Sequence, residues 1–157
     1  MNETATQFLT AEGAAALQSE LQQLREVRRP ELAKLLKTAV AQGDLKENAD
    51  YHDAREQQGF VERRISFLED TLRSAQVIEK EDTPAVVGIG CRVTIQEKGE
   101  AGAETYRIVG AAEANPREGK ISYESPLGKA LMGLDVGARV KVETPEGMAT
   151  FRIRAIE

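Results

Sequence analysis

The sequence predicts an α+β protein in two parts: an N-terminal antiparallel α-helical coiled-coil hairpin, then a small antiparallel β-sheet domain with one short helix. Three observations carry this. Tyr51, Ala54, Gln58, Val61, Ile65, Leu68 and Leu72 advance in alternating steps of three and four, the spacing of a heptad seam. Beyond a Pro- and Gly-containing stretch at 79–90 the apolar residues alternate instead, as in Cys91-Arg92-Val93-Thr94-Ile95. Aromatic residues are 4% of the chain and Trp is absent, which suits a hairpin zipped by aliphatic side chains better than a large aromatic core.

Taken in order, residues 1–8 are polar and expected to fray, and Thr10 can cap the first helix. Leu17, Leu21 and Leu24 follow helical spacing. Pro30 then falls inside the pattern, where the missing N–H predicts a kink or local break. Leu32, Leu35, Leu36, Ala39 and Val40 resume the stripe in a shifted phase. Arg28, Arg29, Lys34 and Lys37 read as a solvated charged face. Gly43 suits the helix end, because it takes positive φ without a Cβ penalty. The second helix then runs about 25 residues, roughly 37 Å, with Asp44 as its N-cap and Glu47 as the capping-box partner. Gln58 on its seam reads as a register device.

Residues 80–90 read as a linker between a hairpin over 1–79 and a sheet domain over 91–157. In the latter, Cys91–Ile95, Thr105–Val109 and Lys120–Tyr123 read as strands and Pro126–Met132 as a short helix. Val140–Glu143 and Ala149–Ile156 form a hairpin across Thr144-Pro145-Glu146-Gly147.

Composition narrows the function. The chain has 157 residues, room for one or two small domains, and a net charge of −5. Proteins that live on phosphate contacts are usually basic, so DNA contact is expected to be weak or indirect. An acidic protein can still meet nucleic acid inside a partner that supplies the positive field. Cys91 and His52 are each alone, which rules out an intrachain disulfide and a zinc site of the usual His/Cys kind. No basic-then-apolar leader and no membrane-length apolar run is present, so a cytoplasmic location is expected. A monomer is expected, with self-association through the heptad helices left open.

The stretch Gly43 to His52 concentrates chemistry. Asp44, Glu47 and Asp50 fall within seven residues at the turn between the helices. Asp-x-x-Glu at a helix start is also an ordinary cap, and spacing alone favours that reading. The exposed position argues the other way, since a tip rarely needs three acids merely to start a helix. Mg²⁺ is a hard cation commonly held by one or two protein carboxylates plus substrate phosphates. Two acids on a tip would hold it weakly alone, but could complete a site whose other ligands come from elsewhere.

The run GDLKENADYHDAREQQGF, Gly43 to Phe60, closely resembles the signature of the bacterial Gre transcript-cleavage (transcription elongation) factors, of the GreA type. RRPE at Arg28–Glu31, LTAEG at Leu9–Gly13 and SPLGKALMG at Ser125–Gly133 match the same family, in order and over nearly the whole chain. The resemblance implies an activator of RNA polymerase's own nuclease, not an enzyme by itself. Its coiled coil would enter the polymerase secondary channel and promote Mg²⁺-dependent cleavage at the 3′ end of backtracked nascent RNA. It implies that Asp44 and Glu47 act catalytically by helping to hold Mg²⁺ with the polymerase active site. Asp50, Asn48 and Tyr51 would be auxiliary, and Lys46 and Arg55 would contact RNA. Asp50 stands where the family often carries Glu, and its shorter side chain reaches less far. Val40-Ala41-Gln42 lacks the basic residues that some relatives carry before the tip, which favours cleavage of short fragments. The sheet domain is implied to fold like the FK506-binding prolyl isomerases (FKBP-like) and to dock on the polymerase rim.

Residue-level alternatives stay open. Tyr51 also begins the seam, so core packing competes with base stacking. Lys46 and Arg55 could pair with nearby acids, and the exposed His52 could be a proton shuttle or a plain surface residue. At the level of function, a Gre-like paralogue would occupy the same channel and inhibit without promoting cleavage. Prolyl isomerisation by the sheet domain needs an aromatic-lined pocket, and only Tyr106, Tyr123 and Phe151 are available there. A plain coiled-coil adaptor explains the helices but not the acidic tip.

Overall fold

A computed structural model describes residues 6–157. The chain forms two compact units. One is Ala15–Ser74; the other joins the described residues through Ala14 to Ala75–Glu157.

In the hairpin unit, helix α1 (Ala11–Gln23) passes through a π-helical turn (Leu24–Arg28) into helix α2 (Arg29–Ala41), and helix α3 (Ala49–Ser74) returns. Pro30 follows directly on that turn within a continuous helix, since Arg28 and Arg29 both keep right-handed helical φ and ψ, and its missing N–H removes a bond to the turn before it. The strain expected there as a kink is absorbed upstream as one extra residue in a turn. That residue explains the shifted stripe: Leu17 and Leu21 are buried before it, and Leu32 and Ala39 after it. Leu35 and Val40, also placed on the stripe, are 52% and 51% exposed. The α3 seam holds as read, with Ala54, Ile65 and Leu68 buried.

Arg28 and Arg29 are not a freely solvated face. The Arg29 guanidinium donates to both carboxylate oxygens of Glu62 at 2.8 and 2.9 Å, and Arg28 donates to Gln57 Oε1. Arg64 grips Glu20 in the same bidentate way, and Arg25 pairs with Glu69. These contacts fix how the two arms of the hairpin align.

The sheet unit begins earlier than expected. Strand β1 (Gln7–Thr10) pairs parallel with β2 (Ala75–Ile78), so the stretch expected to fray is a strand from Gln7 onward; residues 1–5 lie outside the described residues. Leu9 is fully buried, and a Cβ on Gly110 would meet Phe8 O at 1.9 Å. Thr10 caps α1 by accepting from Gly13 N–H at 3.0 Å, while its own N–H donates to Glu113 Oε2 at 2.8 Å. The end of the expected linker also belongs to this unit. Val87 is buried in the core, donates to Leu134 O at 2.8 Å and accepts from Gly133 N–H at 2.9 Å.

A five-stranded sheet follows, in the order β5-β4-β3-β7-β6: β3 (Arg92–Glu97), β4 (Glu104–Val109), β5 (Lys120–Ser122), β6 (Arg139–Thr144) and β7 (Gly147–Ile156). It is mixed rather than purely antiparallel, because β5 runs parallel to β4. The loop between them makes two 3₁₀ turns and closes on itself through Asn115 and Lys120, which reverses the expected direction. Alternation marks a strand but not its partner's sense. Helix α4 (Pro126–Leu131) is capped by Ser125, whose Oγ accepts from Gly128 N–H at 3.1 Å. One sheet face, with Val93, Ile95, Ile108 and Ile153, packs with Val87 and Leu131 of α4 into the core. The other face is polar.

Candidate functional site

The tip lies at the end of the hairpin unit where α2 gives way to α3. Gly43 ends α2 with φ +100°, and its N–H donates to Val40 O at 3.3 Å. From there the chain makes an open turn, and α3 begins at Ala49, not at Asp44.

The cap of α3 is therefore Asn48. Its Oδ1 accepts from Tyr51 N–H at 3.1 Å, and its Nδ2 donates to Ala39 O at 2.8 Å, tying the turn to the last turn of α2. The expected capping box of Asp44 and Glu47 does not form. The heptad seam supplies the reason. Stepping back from Tyr51 by four and then three gives Glu47 and Asp44. A helix extended through them would lay both carboxylates on the apolar seam, a strongly unfavourable burial. Starting at Asn48 leaves them outside.

The acids are accordingly exposed. Asp44 Oδ1 accepts from Lys46 N–H at 3.2 Å, a local turn bond. Among the described residues, neither Glu47 nor Asp50 has a hydrogen-bond or ion-pair partner. Nor do the Lys46 and Arg55 side chains pair with any carboxylate there; Arg55 donates to Gln58 at 3.2 Å. His52 Nε2 lies 3.0 Å from Lys46 O, a bond in which the ring nitrogen donates, so its ring pins the turn. Tyr51 is half-buried at the seam, edge-on to His52 with ring centroids 5.5 Å apart.

The geometry thus unites Asp44, Lys46, Glu47, Asn48 and Asp50 on one exposed turn, with Arg55 on the second turn of α3. The carboxylates are hard oxygen donors free of intramolecular cations, which fits a weakly held divalent ion completed by outside ligands. Among the described residues no group of three or more His, Cys, Asp or Glu is gathered to hold a metal on its own. Sequence reasoning misassigned the cap and gave His52 no structural part. The seam register, read backwards, was the signal that could have found the first.

Comparison with known proteins adds to this geometry. Residues 7–77 match the family described as transcription elongation factor, N-terminal, and residues 81–157 match transcription elongation factor, GreA/GreB, C-term. The chain is 45% identical to transcription elongation factor GreA of Bacillus subtilis, over 92% of each chain. It is 46% identical to the GreA of Thermoanaerobacter pseudethanolicus, over 95% of this chain and 96% of that one. Among solved structures, the GreA factor homolog 1 (Gfh1) protein of Thermus thermophilus is 33% identical, over 96% of this chain and 97% of that one, with a TM-score of 0.44.

Proposed function

This chain belongs to the GreA/GreB family of bacterial transcription elongation factors, and from that premise we propose that it is an accessory factor of RNA polymerase that stimulates transcript cleavage. In this reading the hairpin enters the secondary channel of the polymerase. There Asp44 and Glu47 complete the active centre against the 3′ end of backtracked RNA. The observation that carries it is the placement of the two acids: Asn48 does the capping, so the helix start does not account for them.

The chemistry follows from the donor set. Asp44 and Glu47 each offer carboxylate oxygens to a Mg²⁺ whose remaining ligands come from the polymerase and the RNA phosphate. A Mg²⁺ held there would supply positive charge at the scissile phosphate and make a nearby water more acidic. Carboxylate oxygens of Asp44 and Glu47 left free would accept a hydrogen bond from the attacking water and orient it. Asp50 sits one turn further on and adds negative field. Lys46 and Arg55 offer cations to RNA phosphates, which positions the strand without reading its sequence. Tyr51 keeps the seam closed beneath the turn. The factor alone has half a metal site and is expected to have no nuclease activity.

The test uses stalled, backtracked elongation complexes with Mg²⁺. Wild type should release a 3′ RNA fragment. Asp44→Ala/Glu47→Ala should lower that stimulation by on the order of 10²-fold or more while binding polymerase within about threefold. RNA cleavage by the purified protein without polymerase would overturn the reading. Slowed elongation with no cleavage by either form would make it an inhibitory occupant of the same channel.

A further inference from the structure

The polar face of the five-stranded sheet plays no part in the tip chemistry, and it is strongly basic in a chain whose net charge is −5. Strand alternation sends Arg139, Lys141 and, at the turn end, Glu143 of β6, and Arg152 and Arg154 of β7, to this face. The register seats Arg139 directly opposite Arg152. Two strands over, Arg92 faces Arg107, and Arg107 faces Lys120. Directly opposed like charges, with Cβ atoms about 5 Å apart, destabilise a sheet.

The two halves of the face treat that repulsion differently. On the β4–β5 side, Glu12 pairs with Arg107 and Glu118 with Lys120. On the β6–β7 side, none of Arg139, Lys141 and Arg152 pairs with a carboxylate among the described residues, and Arg154 donates only to Gln96 Oε1. The β3–β4 loop folds over this side, with Lys98 N–H donating to Thr150 O at 2.8 Å. A shallow groove of about 490 Å³ results, lined by these four cations, Lys98, Val140 and Phe151, with Glu97 and Glu100 at its loop end.

We propose that this half of the sheet face is a docking surface for the phosphate backbone of nucleic acid. Four cations without internal counter-ions, held on a rigid sheet at a two-residue repeat, match a row of phosphates. The neutral side chains between them, Thr94, Gln96 and Thr150, are hydrogen-bonding groups of the kind that position a phosphate backbone. An acidic protein partner fits less well. Protein interfaces gather their energy at a buried apolar or aromatic centre, whereas here Val142 and Ile153 are buried, and the Val140 and Phe151 that edge the groove pack against the core. This inference stands apart from the cleavage reading, since it uses no residue of the tip.

The experiment is fluorescence anisotropy of a labelled 20-base-pair duplex, as DNA and as RNA, with the full chain and without polymerase, across a salt series. Four phosphate contacts predict that log K falls against log salt with a slope of about −3 to −4. Arg139→Gln/Arg152→Gln should bring the slope to about −2, whereas Lys34→Gln/Lys37→Gln, an equal charge change on the hairpin, should leave it unchanged. Circular dichroism should show the arginine variant folded and no less stable, because it relieves an opposed pair. Binding of either duplex with that pattern supports the proposal. No binding at low salt, equal loss in both double variants, or tighter binding of an acidic peptide of matched charge would each overturn it.

Discussion

Both ends of the Asn48 amide are committed to backbone, one to the start of α3 and one to the end of α2. Asn48→Ala loses both bonds and should lower stability by about 1–2 kcal/mol. Asn48→Asp keeps the cap and favours the helix dipole, but cannot donate to Ala39 O. If that tie holds Asp44 and Glu47 in place, Asn48→Asp should recover most of the stability yet little of the cleavage stimulation. Urea denaturation alongside the cleavage assay checks this, and full recovery of both would reduce Asn48 to a cap. The same residue marks how far the site could be read beforehand. The gathering of Asp44 and Glu47 at the turn was legible, but Asp44 and Asn48 are both good caps by type, and only the seam register decides between them. Residues of two of the motif matches have structural parts. Thr10 and Gly13 of LTAEG fit around Glu113, where a Cβ on Gly13 would overlap the carboxylate at 1.7 Å. In SPLGKALMG, Ser125 caps α4 and Gly128 lies against Ser122 O.

Among the elements, the hairpin has a thin core and a well-matched edge. Its buried seam is aliphatic apart from Thr71, while Phe60 and Phe67 are exposed, with Arg63 and Arg64 lying over their rings. Alignment of the arms therefore falls to the bidentate arginine pairs. Hydrogen bonds from Arg64 hold the Glu20 carboxyl below its ordinary 4.5, and those from Arg29 do the same for Glu62. A carboxyl depressed in the folded state contributes stability that is complete above its unfolded value and lost as pH falls through the folded one. Helicity melts should thus be flat from pH 7 to about 5 and decline below about 4.5, by no more than a few degrees because the pairs are solvated. Glu20→Gln/Glu62→Gln should flatten that decline; an unchanged acid slope would assign it to other carboxylates. Helix periodicity was plain in the sequence. The cross-arm pairs were not, because partners 33 and 44 residues apart are set by the register of the finished hairpin.

Across the whole molecule, the sheet unit is assembled from two separated stretches of chain, with the hairpin inserted between Ala14 and Ala75. A linear reading placed the boundary after the hairpin because composition changes there. The short parallel pairing of β1 with β2 carries no periodic signal, and its partners are 68 residues apart in register. The consequence is that the N-terminal stretch should stabilise the sheet unit rather than dangle from the hairpin. Leu9 is fully buried with its Cδ2 close to Gly110, and Glu113 accepts from the Thr10 backbone. Leu9→Ala should destabilise that unit by about 2–5 kcal/mol, the usual range for a core leucine. Native-state hydrogen exchange tells where the loss falls. Protection should drop at Val93 and Ile108 and stay unchanged at Ile65 and Leu68 of α3. An equal drop in both places would mean that the units unfold as one, and a drop in α3 alone would return residues 7–10 to the hairpin.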